Sequence, residues 1–329
     1  MKKDFALGCV FIGLATLIFS TMEVMLKLPA VAGAFHPMQI LMERFLIGGT
    51  CLIPVAAWTL KKRGVRLSLR DIRAFALTGF VNVILGMICY QMALGFGQAN
   101  VVAVVFSSNP IFTTVLAFLI LRETIRWNNL AALALEVVGI LAIVDPFGSG
   151  DLSLISIGLA VLSALFFSLY VVLGKRKTKQ VGSIVVTCAS LLCGALELLV
   201  LLLLGHTAVG HAIYEGVHMS VLCDVPFFQG INSTTLPYFL FIGMINCAAG
   251  YVCHMLAVEK TSAIYGSLVF FFKPILAPLI ALAALGEAIS APIAHGIVFF
   301  LIGSLVSIVP DALRARRAAQ KPPAETPTP

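Results

Sequence analysis

GFVNVILGMICYQMA (residues 79–93) and GMINCAAGYVCHMLA (residues 243–257) carry Gly, Asn, Gly, Cys and Ala at the same spacing. The identical pairs are Gly79/Gly243, Asn82/Asn246, Gly86/Gly250, Cys89/Cys253 and Ala93/Ala257, a shift of 164 residues. The register continues without a gap through Val105/Val269, Phe106/Phe270, Pro110/Pro274, Glu123/Glu287 and Gly139/Gly303. Apolar sequence resembles other apolar sequence by chance. Chance does not keep the rare Asn, Pro and Glu positions in one register, so the chain reads as an internal duplication.

The duplicated stretches are apolar, and so is the chain around them. Of 329 residues, 60% are hydrophobic and 11% charged, against about a quarter charged in an average soluble domain. That deficit requires many segments facing lipid. A spanning helix needs about 20 mostly apolar residues. Ten segments fit: 5–28, 37–60, 72–95, 99–121, 127–145, 152–174, 182–205, 235–257, 262–284 and 290–310. The one long connection is His206 to Thr234, and the tail after Arg317 is rich in Pro, Ala and Thr and reads as disordered. Lys2-Lys3 before an apolar run imitates a signal peptide, but the run extends to Leu28 and contains Glu23 and Lys27, so it reads as a first membrane helix.

The net charge of +7 would suggest nucleic acid in a soluble protein. Here the basic residues cluster between apolar segments and set orientation. With the N-terminus inside, Lys61, Lys62, Arg63, Arg66, Arg70, Arg73, Arg122, Arg126, Lys175, Arg176, Lys177, Lys179 and Lys260 all fall on the inner side. Lys2 and Lys3 at the N-terminus and Arg314, Arg316, Arg317 and Lys321 in the tail join them, and only Lys27, Arg44 and Lys273 remain, inside helices. Ten helices with both termini cytoplasmic, in a bacterial inner membrane, satisfy this separation, whereas nine or eleven do not. Each repeat then holds an odd number of helices, and the second copy enters the membrane upside down. The sequence thus predicts an all-α membrane protein of ten transmembrane helices in two inverted five-helix repeats, 1–146 and 152–310, with a disordered cytoplasmic tail 311–329. Inverted repeats typify secondary transporters, whose substrate site lies near the midplane between the copies.

At this point the chain resembles the EamA type of the drug/metabolite transporter superfamily, over about residues 5–310. The resemblance rests on Asn109-Pro110-Ile111-Phe112 leading to Leu121-Arg122-Glu123, and on Lys273-Pro274-Ile275-Leu276 leading to Leu285-Gly286-Glu287. A Lys late in the first helix, Lys27, and an Arg early in the second, Arg44, also fit. The family's frequent Trp-Gly in the first helix is replaced by Phe19-Ser20. The resemblance implies a ten-helix fold and the export or exchange of small metabolites.

Ionisable groups inside the bilayer cost about 2.5–3.5 kcal/mol each on the insertion scale and face a partner or a wet cavity. Lys273 precedes Pro274, which leaves the carbonyl of Phe270 without its usual donor. This cation meets either an anionic substrate or a buried carboxylate. Its mate is the neutral Asn109. Glu23 and Lys27 are spaced to pair along one helix, and Lys27 alternatively snorkels. Glu43 and Arg44 point about 100° apart, and the sequence does not choose between a Glu23–Arg44 and a Glu43–Lys273 bridge. The substrate-binding candidates are Lys273, Arg44, Glu23, Asn109, Asn82 and Asn246. The proton-coupling candidates are Glu23, Glu43 and Glu197, with Glu136 behind them, and the helix breaks are Pro110 and Pro274. Glu123 and Glu287 read as favouring the positive end of the next helix. Tyr90 and His254 are mates that can gate, and Phe270-Phe271-Phe272 can stack an apolar ligand or face lipid.

No Walker A loop, zinc-protease motif or Gly-x-Ser-x-Gly turn is present, which argues against an ATP-driven pump and a membrane enzyme. His206, His211, His218, Cys223 and Asp224 match no metal spacing, so neither metal nor other cofactor is expected. The cysteines inside apolar runs read as small packing residues. The function predicted is alternating-access transport of a small metabolite, an amino acid, organic acid or similar zwitterion or anion. The four glutamates 23, 43, 136 and 197 keep an exporter of cationic or amphipathic drugs as the alternative. The partners expected are the small-molecule substrate, the lipid bilayer and a coupling proton or exchange solute, with the chain a monomer or homodimer.

Overall fold

The computed structural model describes residues 2–144 and 153–320, and every regular element among them is helical. Eight helices are long and apolar enough to cross a membrane: α1 Asp4–Lys27, α2 Pro37–Arg63, α3 Leu69–Phe96, α4 Ala99–Leu121, α6 Leu154–Val181, α7 Ser183–Leu204, α8 Leu236–Lys260 and α9 Ala263–Leu285. Two further helices, α5 Trp127–Val144 and α10 Ala291–Gln320, have shorter apolar stretches. Helix α10 runs past the expected end of the apolar segment, so residues 311–320 continue a helix where the composition suggested disorder. Residues 321–329 lie outside those described.

Helix ends follow local chemistry. Ser68 caps α3 with a reciprocal Ser68–Asp71 box, satisfying two otherwise orphaned donors. Gly64 ends α2 at φ 65° and Gly182 ends α6 at φ 94°, conformations that cost glycine little. Helix α6 therefore continues beyond the apolar stretch and carries Lys175, Arg176, Lys177 and Lys179 on its last turns.

Several helices are interrupted where the repeat signature lies. Phe80–Met87 in α3 and Phe241–Gly250 in α8 are π-helical, and contain Asn82 with Gly86 and Asn246 with Gly250. A π turn adds a residue to each turn, so side chains there do not follow the 3.6-residue period of an α-helix. Helix α1 is interrupted at Ser20–Thr21, α4 at Ser107–Ser108 and α9 at Ser267–Leu268. Pro110 sits in the first turn of the piece Asn109–Leu116, while its mate Pro274 is inside the unbroken piece Val269–Leu285. The paired prolines thus act differently, one starting a segment and one tolerated within it.

The helices pack around a shared interior. Helix α2 lies against α7, α4 against α9, and α5 against α10. Helix α2 also meets α8 as α7 meets α3; α1 meets α8 as α6 meets α3; and α1 meets α9 as α6 meets α4. Glycines set the closest approaches. A Cβ on Gly79 would sit 2.6 Å from the Gly194 nitrogen, and one on Gly48 3.0 Å from the Gly243 carbonyl. Small residues at helix crossings let van der Waals packing replace the hydrophobic drive that lipid cannot provide. All eight cysteines are unbridged; Cys188 and Cys247 are buried, whereas Cys9 and Cys51 are exposed.

Candidate functional site

The interruption in α1 places Glu23 on the short piece Met22–Lys27, and that in α9 places Lys273 just after its restart. The two side chains form an ion pair with 1% and 2% of their surface accessible. Neither of the two bridges weighed from sequence forms. Glu23 also does not pair with Lys27 along the helix. The second Glu23 oxygen, Oε2, has no hydrogen-bond partner among the described residues.

Arg44 on α2 is completely buried. Its Nη1 reaches the Met22 sulfur at 3.6 Å, and its guanidinium lies 5.0 Å from the Phe45 ring centre and 6.0 Å from that of Tyr90. Nε and Nη2 find no partner among the described residues. Desolvating a guanidinium without bonding its fork is costly, so Nε and Nη2 are donors that a planar acceptor would satisfy. Tyr90 Oη, which faces the Glu23 carboxylate, and both polar atoms of Asn82, which faces Tyr251, are buried and meet no hydrogen-bond geometry among the described residues.

Aromatic rings fill the space between these groups. Phe106 sits 4.8 Å from Lys273 Nζ, a cation–π distance. Phe167 contacts Phe19, Phe106, Phe270, Tyr251 and His254 at centroid distances of 5.5–6.4 Å. The cavity bounded by Phe19, Met22, Tyr90, Phe106, Phe167, Tyr251 and Lys273 measures about 20 Å³, room for roughly one water. A metabolite does not fit until helices separate. The arrangement is a shut, apolar chamber with one ion pair and one unmatched cation.

Other candidates lie elsewhere. Asn109 donates to the Ala164 carbonyl at 3.0 Å and accepts from Thr113, fastening α4 to α6. Asn246 donates to Ile18 O and Thr21 Oγ1 at 2.8 and 2.9 Å, across the interruption in α1; its mate Asn82 is the one left unpartnered. Glu43 accepts from Gln39 one turn earlier, and Gln39 also reaches the Gln229 carbonyl in the long loop. Glu197 is partly buried with Oε2 unpartnered, and Glu136 is fully buried on α5 with both oxygens unpartnered. Tyr90 and His254 are both buried, at 2% and 1% exposure. Of the Phe triplet, Phe270 and Phe271 face inward and Phe272 outward. In the loop, Asp224 meets His211 at 3.0 Å and His206 at 3.7 Å. No group of three metal-ligating side chains occurs among the described residues.

Glu123 and Glu287 depart from the sequence reading. They do not serve the helices that follow them. Glu123 accepts from the backbone N–H groups of Ala263 and Ile264 at the start of α9, at 3.1 and 3.3 Å. Glu287 accepts from those of Ala99 and Asn100 at the start of α4, at 3.1 and 3.0 Å. Acceptors and donors alike are 164 residues apart. The left-handed residues Arg122 (φ 57°) and Gly286 (φ 69°) turn the backbone at both places so that the following glutamate reaches across.

Residues missed in the sequence include Phe19, Phe106, Phe167 and Tyr251 as chamber walls. A signal existed. Phe19-Ser20-x6-Lys27 recurs as Phe167-Ser168-x6-Lys175, 148 residues on. The first helix of each half follows a different offset from the 164-residue register, because the connections between helices differ in length.

Fold and chamber together define a multi-pass helical membrane protein of the transporter class. The chain belongs to the EamA-like transporter family, which it matches over residues 6–145 and again over 154–309. It is 33% identical to an uncharacterized transporter of Clostridium kluyveri over 312 residues, 93% of each chain. It is 28% identical to the uncharacterized transporter YdfC of Bacillus subtilis, over 77% of this chain and 76% of that one. A solved crystal structure superposes with a TM-score of 0.65 at 19% identity, covering 97% of this chain and 99% of that one. That likeness concerns the fold alone.

Proposed function

We propose that this chain is a secondary transporter that carries a small carboxylate-bearing metabolite, an amino acid or organic acid, across the inner membrane by alternating access. The observation that carries the reading is Arg44, fully buried with Nε and Nη2 unpartnered beside the chamber. Lys273 is neutralised by Glu23, so the chamber keeps one net positive charge. A carboxylate matches a planar fork with two parallel bonds. A cationic drug would meet that charge unfavourably, which favours the carboxylate over the drug-exporter alternative. The assignment moves the anion-binding role from Lys273 to Arg44.

Two inverted five-helix repeats, 1–146 and 152–310, are part of this proposal. The exchange of helix contacts supports it: α2–α8 has its counterpart in α7–α3, α1–α8 in α6–α3 and α1–α9 in α6–α4. The paired Glu123 and Glu287 caps obey the same exchange. The distribution of basic residues supports both termini in the cytoplasm. The role is carriage rather than catalysis, and coupling runs to a proton or an exchanged solute.

Purified protein in proteoliposomes tests the reading. Saturable counterflow of a labelled amino or organic acid, lost in Arg44→Ala, is the expected outcome. Ohmic, unsaturable conductance, or counterflow indifferent to Arg44, overturns it.

A further inference from the structure

We infer that Glu123 and Glu287 are opposed latches that close the two ends of the chamber, and that the surplus of contacts at one end makes the empty carrier rest open at the other. The inference rests on the alternating-access reading. Each glutamate belongs to one half and binds the start of the fourth helix of the other half, α9 for Glu123 and α4 for Glu287. A carboxylate on two backbone N–H groups at a helix start gains charge-assisted bonds and the helix dipole. Those bonds persist only while the halves touch at that end. Separating the halves there breaks the latch and leaves two donors and a carboxylate to water.

The ends are not equivalent. At the basic end, Lys175 from the first helix of the second half lies 2.7 Å from Glu123 Oε1. Its counterpart Lys27 makes no ion pair or hydrogen bond with Glu287 among the described residues, though it feels that charge at longer range. The basic end adds three more ion pairs between the halves: Arg63–Glu259 at 3.1 Å, Lys177–Asp71 at 2.5 Å and Lys260–Asp4 at 3.0 Å. Glu259 also binds the Ser183 backbone N–H at 2.8 Å. At the opposite end the cross-half polar contacts among the described residues are fewer: the Glu287 cap, the bond of Asn100 Nδ2 to the Ala288 carbonyl at 3.3 Å, that of Ser156 Oγ to the Ala93 carbonyl at 2.8 Å and that of Gln39 to the Gln229 carbonyl. The exposed pairs are individually weak, but all act on one closure. The end with Glu287 therefore opens first, and substrate entry from that side meets the smaller barrier.

Hydrogen exchange of the full chain in lipid nanodiscs reads each latch at its own amides. Glu123→Gln raises exchange of the 263–266 amides by roughly tenfold or more, the loss of charge-assisted bonding, and leaves 99–102 unchanged or slower. Glu287→Gln does the reverse. Lys175→Met repeats the Glu123 result at smaller amplitude, and Glu123→Asp replaces it if the Gln variant does not fold. Wild-type protein exchanges faster at 99–102 than at 263–266. Both ends loosening together in either single variant, or neither end responding, overturns the latches. Counterflow in wild-type protein is measured alongside: its absence overturns the carrier reading separately, while unaltered exchange with intact counterflow overturns only the latches.

Discussion

Replacing Lys273 by Met removes the cation from an ion pair whose side chains are 2% and 1% accessible. The Glu23 carboxylate then stays in the aromatic chamber without its counter-charge, with Oε2 already unpartnered. Breaking a buried pair from one side costs about 3–5 kcal/mol, whereas replacing both partners by neutral groups of similar shape is close to neutral. Lys273→Met and Glu23→Gln are each expected to destabilise by about 3–5 kcal/mol, and the double variant to return within about 1 kcal/mol of wild type. The assay is equilibrium unfolding of the detergent-solubilised chain, followed by far-UV circular dichroism. Single variants costing under about 1 kcal/mol, or a double variant as unstable as the sum, refute the buried-pair reasoning. The same double variant tests the site. If Arg44 binds the anion, folded Glu23→Gln/Lys273→Met protein keeps counterflow within about tenfold of wild type. Its abolition in folded protein would return the binding role to the pair.

Arg44→Lys keeps the charge and loses the fork, so kcat/KM for counterflow is expected to fall by roughly 10–100-fold; full activity would contradict bidentate binding. Gly79→Ala places a Cβ 2.6 Å from the Gly194 backbone. It is expected to cost about 1–3 kcal/mol in the same unfolding assay through overpacking, against little change for Gly13→Ala, which meets nothing within 4 Å. His36 precedes α2 and its Nδ1 accepts from the Met38 N–H at 3.3 Å. Burial holds its pKa below the ordinary 6.5, so the unfolded chain binds the proton first. The stabilising contribution is present above pH 6.5 and lost as pH falls through the lower folded value. Stability measured from pH 7.5 to 5 is expected to drop less steeply in His36→Ala, and equal slopes would remove the cap argument.

The membrane class and the apolar segments were legible because lipid leaves little choice: backbone polar groups must bond within a helix, and apolar length reports a span. The duplication was legible because Asn82/Asn246, Pro110/Pro274 and Glu123/Glu287 kept one register. Their roles were not. Pro110 starts a segment while Pro274 sits inside one, and Asn246 is bonded while Asn82 is not. These outcomes depend on which helix lies opposite, and sequence spacing contains no information about that. The π-helical segments were also invisible, since one inserted residue in the hydrogen-bond ladder leaves an apolar run looking the same.

The sequence by itself determined the helical membrane class, the repeated register and the set of buried ionisable residues, because each follows from transfer cost and local pattern. Only the tertiary structure decided the partners. It gave Glu23 to Lys273 across 250 residues, left Arg44 with an open fork, and sent Glu123 and Glu287 to helices of the opposite half. The physical reason is that a charge buried in apolar surroundings is settled by whichever group packing brings within hydrogen-bond reach, and packing is a property of all the helices together.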